Sequence, residues 1–190
     1  TKNRMHLLLT RQLEDCSDLI IRFKELGHIV SHLPLLNIEK IEYNKKSFEN
    51  CKGIIFTSAN AIKFLDTRKI NKNIKCFCVG LATEKKAKSV GFQNLIVAEG
   101  NVRNLRELIL QNFNPVDGNI IYVSGEIISS KLDLQLINDG YSIKRLINYR
   151  TNHNKNFENK FVEELKKNIP DIVYIYSYNS ALSFLNFIKN

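Results

Sequence analysis

A set of short turns in this sequence gathers hydroxyls, amides and glycines: Thr10-Arg11, Thr57-Ser58-Ala59-Asn60, Gly80-Leu81-Ala82-Thr83, Gly100-Asn101, Ser124-Gly125-Glu126 and Ser177. Each follows an apolar run, where free backbone N–H groups and hydroxyls suit carboxylates or phosphates with little formal charge at the centre. Capping of a following helix is the other common work of Ser, Thr and Asn at such places, and both roles stay open for each residue. Tyr149-Arg150-Thr151 adds a phenol, a guanidinium and a hydroxyl in an extended segment. Other chemistry is missing. His6, His28, His32 and His153 lack metal-ligand spacing, and there is no G-x-G-x-x-G after a strand, no P-loop and no G-x-S-x-G elbow. Dehydrogenase, NTPase and hydrolase readings weaken together, and no metal is expected.

The turns sit in a repeated unit. His6 to Leu9 reads as a buried strand, Leu13, Cys16, Leu19, Ile20, Phe23 and Leu26 follow helical spacing, and Gly27-His28 stops the helix before a strand at Ile29 to Leu33. The same grammar returns from Lys75 through Gly91 to Ala98, and from Asn119 through Gly140 to Ile147. Each glycine stands where a left-handed helix stop is needed. Gly53 to Phe56 and Asp171 to Tyr176 are apolar strands that run into a Ser-x-Asn turn and an amphipathic helix. Short apolar strands alternating with helices imply parallel sheets covered on both faces, an α/β fold.

The chain has 190 residues, 44% hydrophobic and 25% charged, which excludes collagen-like, disordered and disulfide-scaffold classes. Its formal charge of +9 suits an anionic partner: nucleic acid, acidic membrane or a polyanionic small molecule. No apolar run approaches the roughly 18 to 20 residues of a spanning helix, so no membrane partner is expected. Lys85, Lys86, Lys88, Arg103 and Arg106 read as a solvated helix face; they lack aromatic interleaving and any DNA-binding motif, so no nucleic-acid partner is expected either. Cys16, Cys51, Cys76 and Cys78 are scattered in apolar or helical surroundings, which suits free thiols in a reducing cytoplasm.

Leu33 to Glu39 and Leu146 to Thr151 are extended segments flanking the middle of the chain, each followed by a polar stretch. Two such crossings suggest that the middle block is inserted into the first domain. The unit begun at Ser177-Tyr178-Asn179 has no counterpart to the strand, helix and strand that follow Ser58-Ala59-Asn60. If the halves are equivalent, roughly 40 to 50 residues with two more strands are expected beyond this sequence.

Leu8-Leu9-Thr10-Arg11, Leu26-Gly27-His28, Leu33-Pro34-Leu35-Leu36, Ile55-Phe56-Thr57-Ser58-Ala59-Asn60-Ala61, Val79-Gly80 with Ala82-Thr83, Gly100-Asn101, Ser124-Gly125-Glu126 and Tyr149-Arg150-Thr151 occur in order along nearly the whole chain. Together they resemble the uroporphyrinogen-III synthase family. The resemblance implies two flavodoxin-like parallel-sheet α/β domains joined by a two-stranded linker. Residues 1–36 plus 153–190 would form the discontinuous first domain, lacking its C-terminal unit. Residues 37–152 would form the inserted second domain with the linker strands. It also implies a cytoplasmic monomer that cyclises hydroxymethylbilane, a linear tetrapyrrole octacarboxylate, in a cleft between domains, without cofactor or metal. Tyr149 matches the family's cleft tyrosine, whose phenol could hydrogen-bond the departing hydroxyl. Arg11, Thr57, Ser58, Asn60, Gly80, Thr83, Asn101, Ser124, Gly125 and Ser177 match substrate-binding positions. Ser177-Tyr178 departs from the family's usual Ser-Pro. A noncatalytic binding module for a polyanionic ligand is the alternative reading.

Overall fold

The structure, a computed structural model, describes residues 3–190; the first two residues of the expected first domain lie outside it. The apolar runs form strands and the periodic stretches form helices. In chain order the first half holds β1 (His6–Leu9), α1 (Leu13–Glu25), β2 (Ile29–His32), β3 (Leu36–Lys40), β4 (Cys51–Phe56), α2 (Ala59–Lys63), β5 (Lys75–Val79) and α3 (Leu81–Ser89). The second half holds β6 (Asn94–Ala98), α4 (Val102–Asn112), β7 (Asn119–Gly125), α5 (Leu132–Asn138), β8 (Ser142–His153), α6 (Asn159–Lys167), β9 (Ile172–Tyr174) and α7 (Tyr178–Lys189). Gly27, Gly91 and Gly140 end their helices at φ of +88°, +102° and +96°, a region that a side chain would strain.

Two compact units emerge: the residues up to Ile38 with Thr151–Asn190, and Glu39–Arg150. The smaller sheet has the order β2-β1-β9, and both of its pairings are parallel. Leu8, Leu33, Leu35 and Leu165 form its core, with Phe157, Phe161, Phe184 and Phe187 packed around them.

The larger sheet runs β3-β8-β7-β4-β5-β6, with parallel pairing from β8 through to β6. Period-two alternation divides its core into two layers. Ile54 and Phe56 face Ala61, Ile62, Ala87 and Phe92, whereas Ile55 and Phe77 face Leu105, Ile109, Leu132 and Leu136. Helices α2 and α3 therefore cover one face, and α4 and α5 the other. Ile54, Ile55 and Phe56 are fully buried, and burial of each such side chain stabilises the unit by roughly 1.5–3 kcal/mol.

Counted from β4 in chain order, β6-β5-β4-β7-β8 reads 3-2-1-4-5. A flavodoxin-like sheet reads 2-1-3-4-5, so that expectation is corrected for this unit. Apolar alternation reports that strands are parallel and covered on both faces. It does not report on which side of β4 the chain lands after β6.

Arg106 also departs from the solvated reading. Its guanidinium forms a fork with Asp139, Nε to Oδ2 at 2.8 Å and Nη2 to Oδ1 at 2.7 Å, which ties α4 to the end of α5. This pairing holds the Asp139 carboxyl below the usual carboxylate range. Arg68, and then Lys45, do the same to Asp66. Carboxyls lowered in the folded state contribute stability in full above their unfolded pKa, near 3.9, and lose it as pH falls through the folded value. The urea midpoint is therefore expected to drop below about pH 4. Asp139→Asn is expected to lower the midpoint at neutral pH and to flatten that acid limb. An acid limb of unchanged slope in the variant would remove Asp139 as its source.

Candidate functional site

Parallel pairing brings the carboxyl ends of neighbouring strands to one edge. In the larger unit that edge collects Thr57, Ser58 and Asn60 after β4, Gly80 and Thr83 after β5, and Asn101 after β6. Ser124 and Gly125 close β7, and Tyr149 of β8 is in register with Gly125. The chain winds outward from β4 through β5 and β6, then returns to the far side of β4 with β7 and β8. The switch point thus lies between Thr57-Ser58 and Ser124-Gly125, where doubly wound sheets place their ligand crevice.

An irregularity in β8 aims the tyrosine. Ile147 pairs with Ser124 and Tyr149 with Gly125, so Asn148 is an extra residue opposite the β7 ladder. Strict alternation would put Tyr149 and Leu146 on opposite faces, yet both pack against the core layer under α2 and α3. The bulge accounts for this re-aiming. The Tyr149 ring then stacks on Phe64 with centroids 6.2 Å apart and lies over Gly125. A Cβ at Gly125 would stand 2.8 Å from Cε2 and Cζ of that ring, so only glycine leaves the space. Asn148 is fully buried, and its Nδ2 donates to the Ala61 carbonyl of α2 at 2.7 Å.

Beneath the switch point, Thr57 Oγ1 and the Tyr122 hydroxyl are 3.2 Å apart, bridging β4 and β7. Burial pushes the Tyr122 phenol above its ordinary pKa, opposed by the Thr57 hydrogen bond. Arg145 of β8 donates from Nε to Ser124 Oγ at 2.8 Å, and from Nη2 to the carbonyls of Gly125 and Glu126 at 2.7 and 2.6 Å. Glu126 in turn pairs with Arg150 at 3.3 Å and donates its N–H to the Tyr149 carbonyl at 2.9 Å.

Several expected ligand residues carry structural duties. Ser58, Asn101 and Ser177 accept capping hydrogen bonds from the N–H groups of Asn60, Asn104 and Ser180 at 3.2, 3.2 and 3.1 Å. Thr83 and Ser124 are only 4% and 2% exposed. Both hydroxyls are thus buried, and Ser124 hydrogen-bonds Arg145 and the Gly125 carbonyl. Thr57, Ser58, Asn60 and Gly80 are half-buried, and Asn101 is exposed. Arg11 and Ser177 lie in the smaller unit, after β1 and β9; Arg11 sits 5.0 Å over the Tyr176 ring. Tyr122, Arg145, Asn148 and Phe64 were not singled out from sequence. The available signal was polarity, an Arg and an Asn inside the apolar run of β8.

The four cysteines are free and buried. Among the described residues no three His, Cys, Asp or Glu side chains form a group able to hold a metal ion, and no helix is long and apolar enough to cross a membrane.

The winding of the larger sheet and the turns at its switch point define an α/β protein of parallel-sheet type. Solved structures share this α/β fold. Uroporphyrinogen-III synthetase from Helicobacter pylori aligns with a TM-score of 0.62 at 18% identity, over 96% of this chain and 78% of that one. A mutant uroporphyrinogen III synthase from Thermus thermophilus gives the same TM-score at 13% identity, over 96% and 76%. No curated protein matches the sequence. The chain belongs to the uroporphyrinogen-III synthase HemD family, whose model matches residues 17–190.

The fit of Tyr149 over Gly125 is open to test by unfolding. Gly125→Ala is expected to cost about 1–3 kcal/mol, the usual range for overpacking. Most of that cost is expected to vanish in a Tyr149→Ala background. Equal losses in both backgrounds, measured by urea denaturation, would show that the ring is not what excludes the methyl group.

Proposed function

We propose that this member of the uroporphyrinogen-III synthase family closes hydroxymethylbilane to uroporphyrinogen III at the carboxyl edge of its larger sheet, with inversion of ring D. The observation that carries the assignment of the site is the seating of Tyr149 over Gly125, beside the switch point. The chain acts as a hydro-lyase of haem biosynthesis, in the cytoplasm and as a monomer. Its two α/β domains are residues 1–36 plus 153–190 and residues 37–152, a division close to that of the two compact units.

The substrate carries most of the driving force. Loss of the ring A hydroxyl leaves an azafulvene; ring D attacks it to form a spiro intermediate, which fragments and recloses. The protein has to fold the chain of pyrroles so that this closure outruns the direct one. The Tyr149 hydroxyl hydrogen-bonds the departing hydroxyl. Thr57, Ser58, Asn60, Gly80 and Asn101 bind acetate and propionate groups through side chains and backbone N–H groups. Gly125 makes room for the tyrosine, while Thr83 and Ser124 support the turns from within. Arg11 and Ser177 are substrate-binding residues of the smaller unit. The +9 charge raises the local concentration of an octacarboxylate without itself choosing the isomer.

Freshly prepared hydroxymethylbilane, followed by oxidation and separation of the porphyrins, tests this reading. Isomer III is expected from the folded protein; isomer I alone, the product of unassisted closure, would leave only a binding module. Tyr149→Phe is expected to lower kcat by about 100-fold, the scale of a lost proton-handling group. Unchanged kcat would take the catalytic role away from Tyr149.

A further inference from the structure

Arg145 is a half-buried cation in the middle of β8, in register with Tyr122. Its guanidinium hydrogen-bonds one turn: the Ser124 hydroxyl and the carbonyls of Gly125 and Glu126. Ser124 donates its own hydroxyl to the Gly125 carbonyl at 2.9 Å, so the guanidinium and the serine together satisfy that oxygen. The same turn is the floor of Tyr149. Gly125 underlies the ring, and the Glu126 N–H holds the Tyr149 carbonyl. A planar fork that meets several acceptors at once fixes such a turn in a way that a single ammonium cannot.

We propose that Arg145 is a positioning residue for ring closure: it clamps the Ser124–Glu126 turn and thereby fixes the plane and depth of the Tyr149 ring. The role rests on the synthase reading of the site, and acts through Tyr149 without contact with substrate. A misplacement of about 1 Å at a reacting group costs on the order of 100-fold in rate, whereas binding of the distant carboxylates is left to other turns.

The test compares Arg145→Gln and Arg145→Lys, each alone and combined with Tyr149→Phe, by kcat and KM for isomer III formation, with urea midpoints measured in parallel. Arg145→Gln is expected to lower kcat about 10- to 100-fold while KM changes less than about threefold. In the Tyr149→Phe background the same substitution is expected to cost less than about threefold more, because the group being positioned is already gone. Arg145→Lys keeps the charge and is expected to fold, yet to lose about tenfold or more in kcat. Losses that multiply with Tyr149→Phe would overturn the proposal, as would a change in KM alone. Should Arg145→Gln fail to fold, full kcat in Arg145→Lys overturns it and a reduced kcat that Tyr149→Phe masks supports it. A wild-type protein that yields only isomer I would overturn the synthase reading itself, a result distinct from any of these.

Discussion

The contact between the Tyr149 ring and the bare Cα of Gly125 is the constraint on which the site depends. It requires a missing side chain on β7, an extra residue on β8 and a turn held still beneath the ring. Asn148 supplies the extra residue and ties the strand to α2, while Arg145 holds the turn. Strand β8 thus links both turns at the switch point, one through Ala61 and the other through Ser124 to Glu126. The apolar layers on either face make the sheet a rigid mount for that arrangement.

This design suits a reaction whose difficulty lies in choosing one closure over another. Neutral hydroxyls and backbone donors can hold several carboxylates without locking each one tightly. Ion pairing takes several of the cations out of play: Arg106 is held by Asp139, Arg68 and Lys45 by Asp66, and Arg150 by Glu126. The remaining positive charge is available for long-range attraction of a polyanion.

Much of the fold was legible because its signals are local. Gly27, Gly91 and Gly140 announced helix ends, and apolar runs bounded by them announced strands. The side of β4 on which β7 lands depends on long-range packing, so the order 3-2-1-4-5 left no mark in any short segment. The site divides in the same way. The residues at strand ends could be named from sequence, but a capping Ser58, a buried Thr83 and a Thr57 bonded to Tyr122 look alike there. Arg145 and Asn148 escaped notice because their meaning depends on cross-strand register, which a single bulged residue changes.

Hydrogen–deuterium exchange of the folded protein with and without uroporphyrinogen III tests the central claim most directly. The account predicts added protection in the segments that contain Thr57 to Asn60, Ser124 to Glu126 and Tyr149. Protection confined to other surfaces, such as the basic cavity of about 360 Å³ lined by Lys45, Lys46, Arg68 and Lys69, would contradict it.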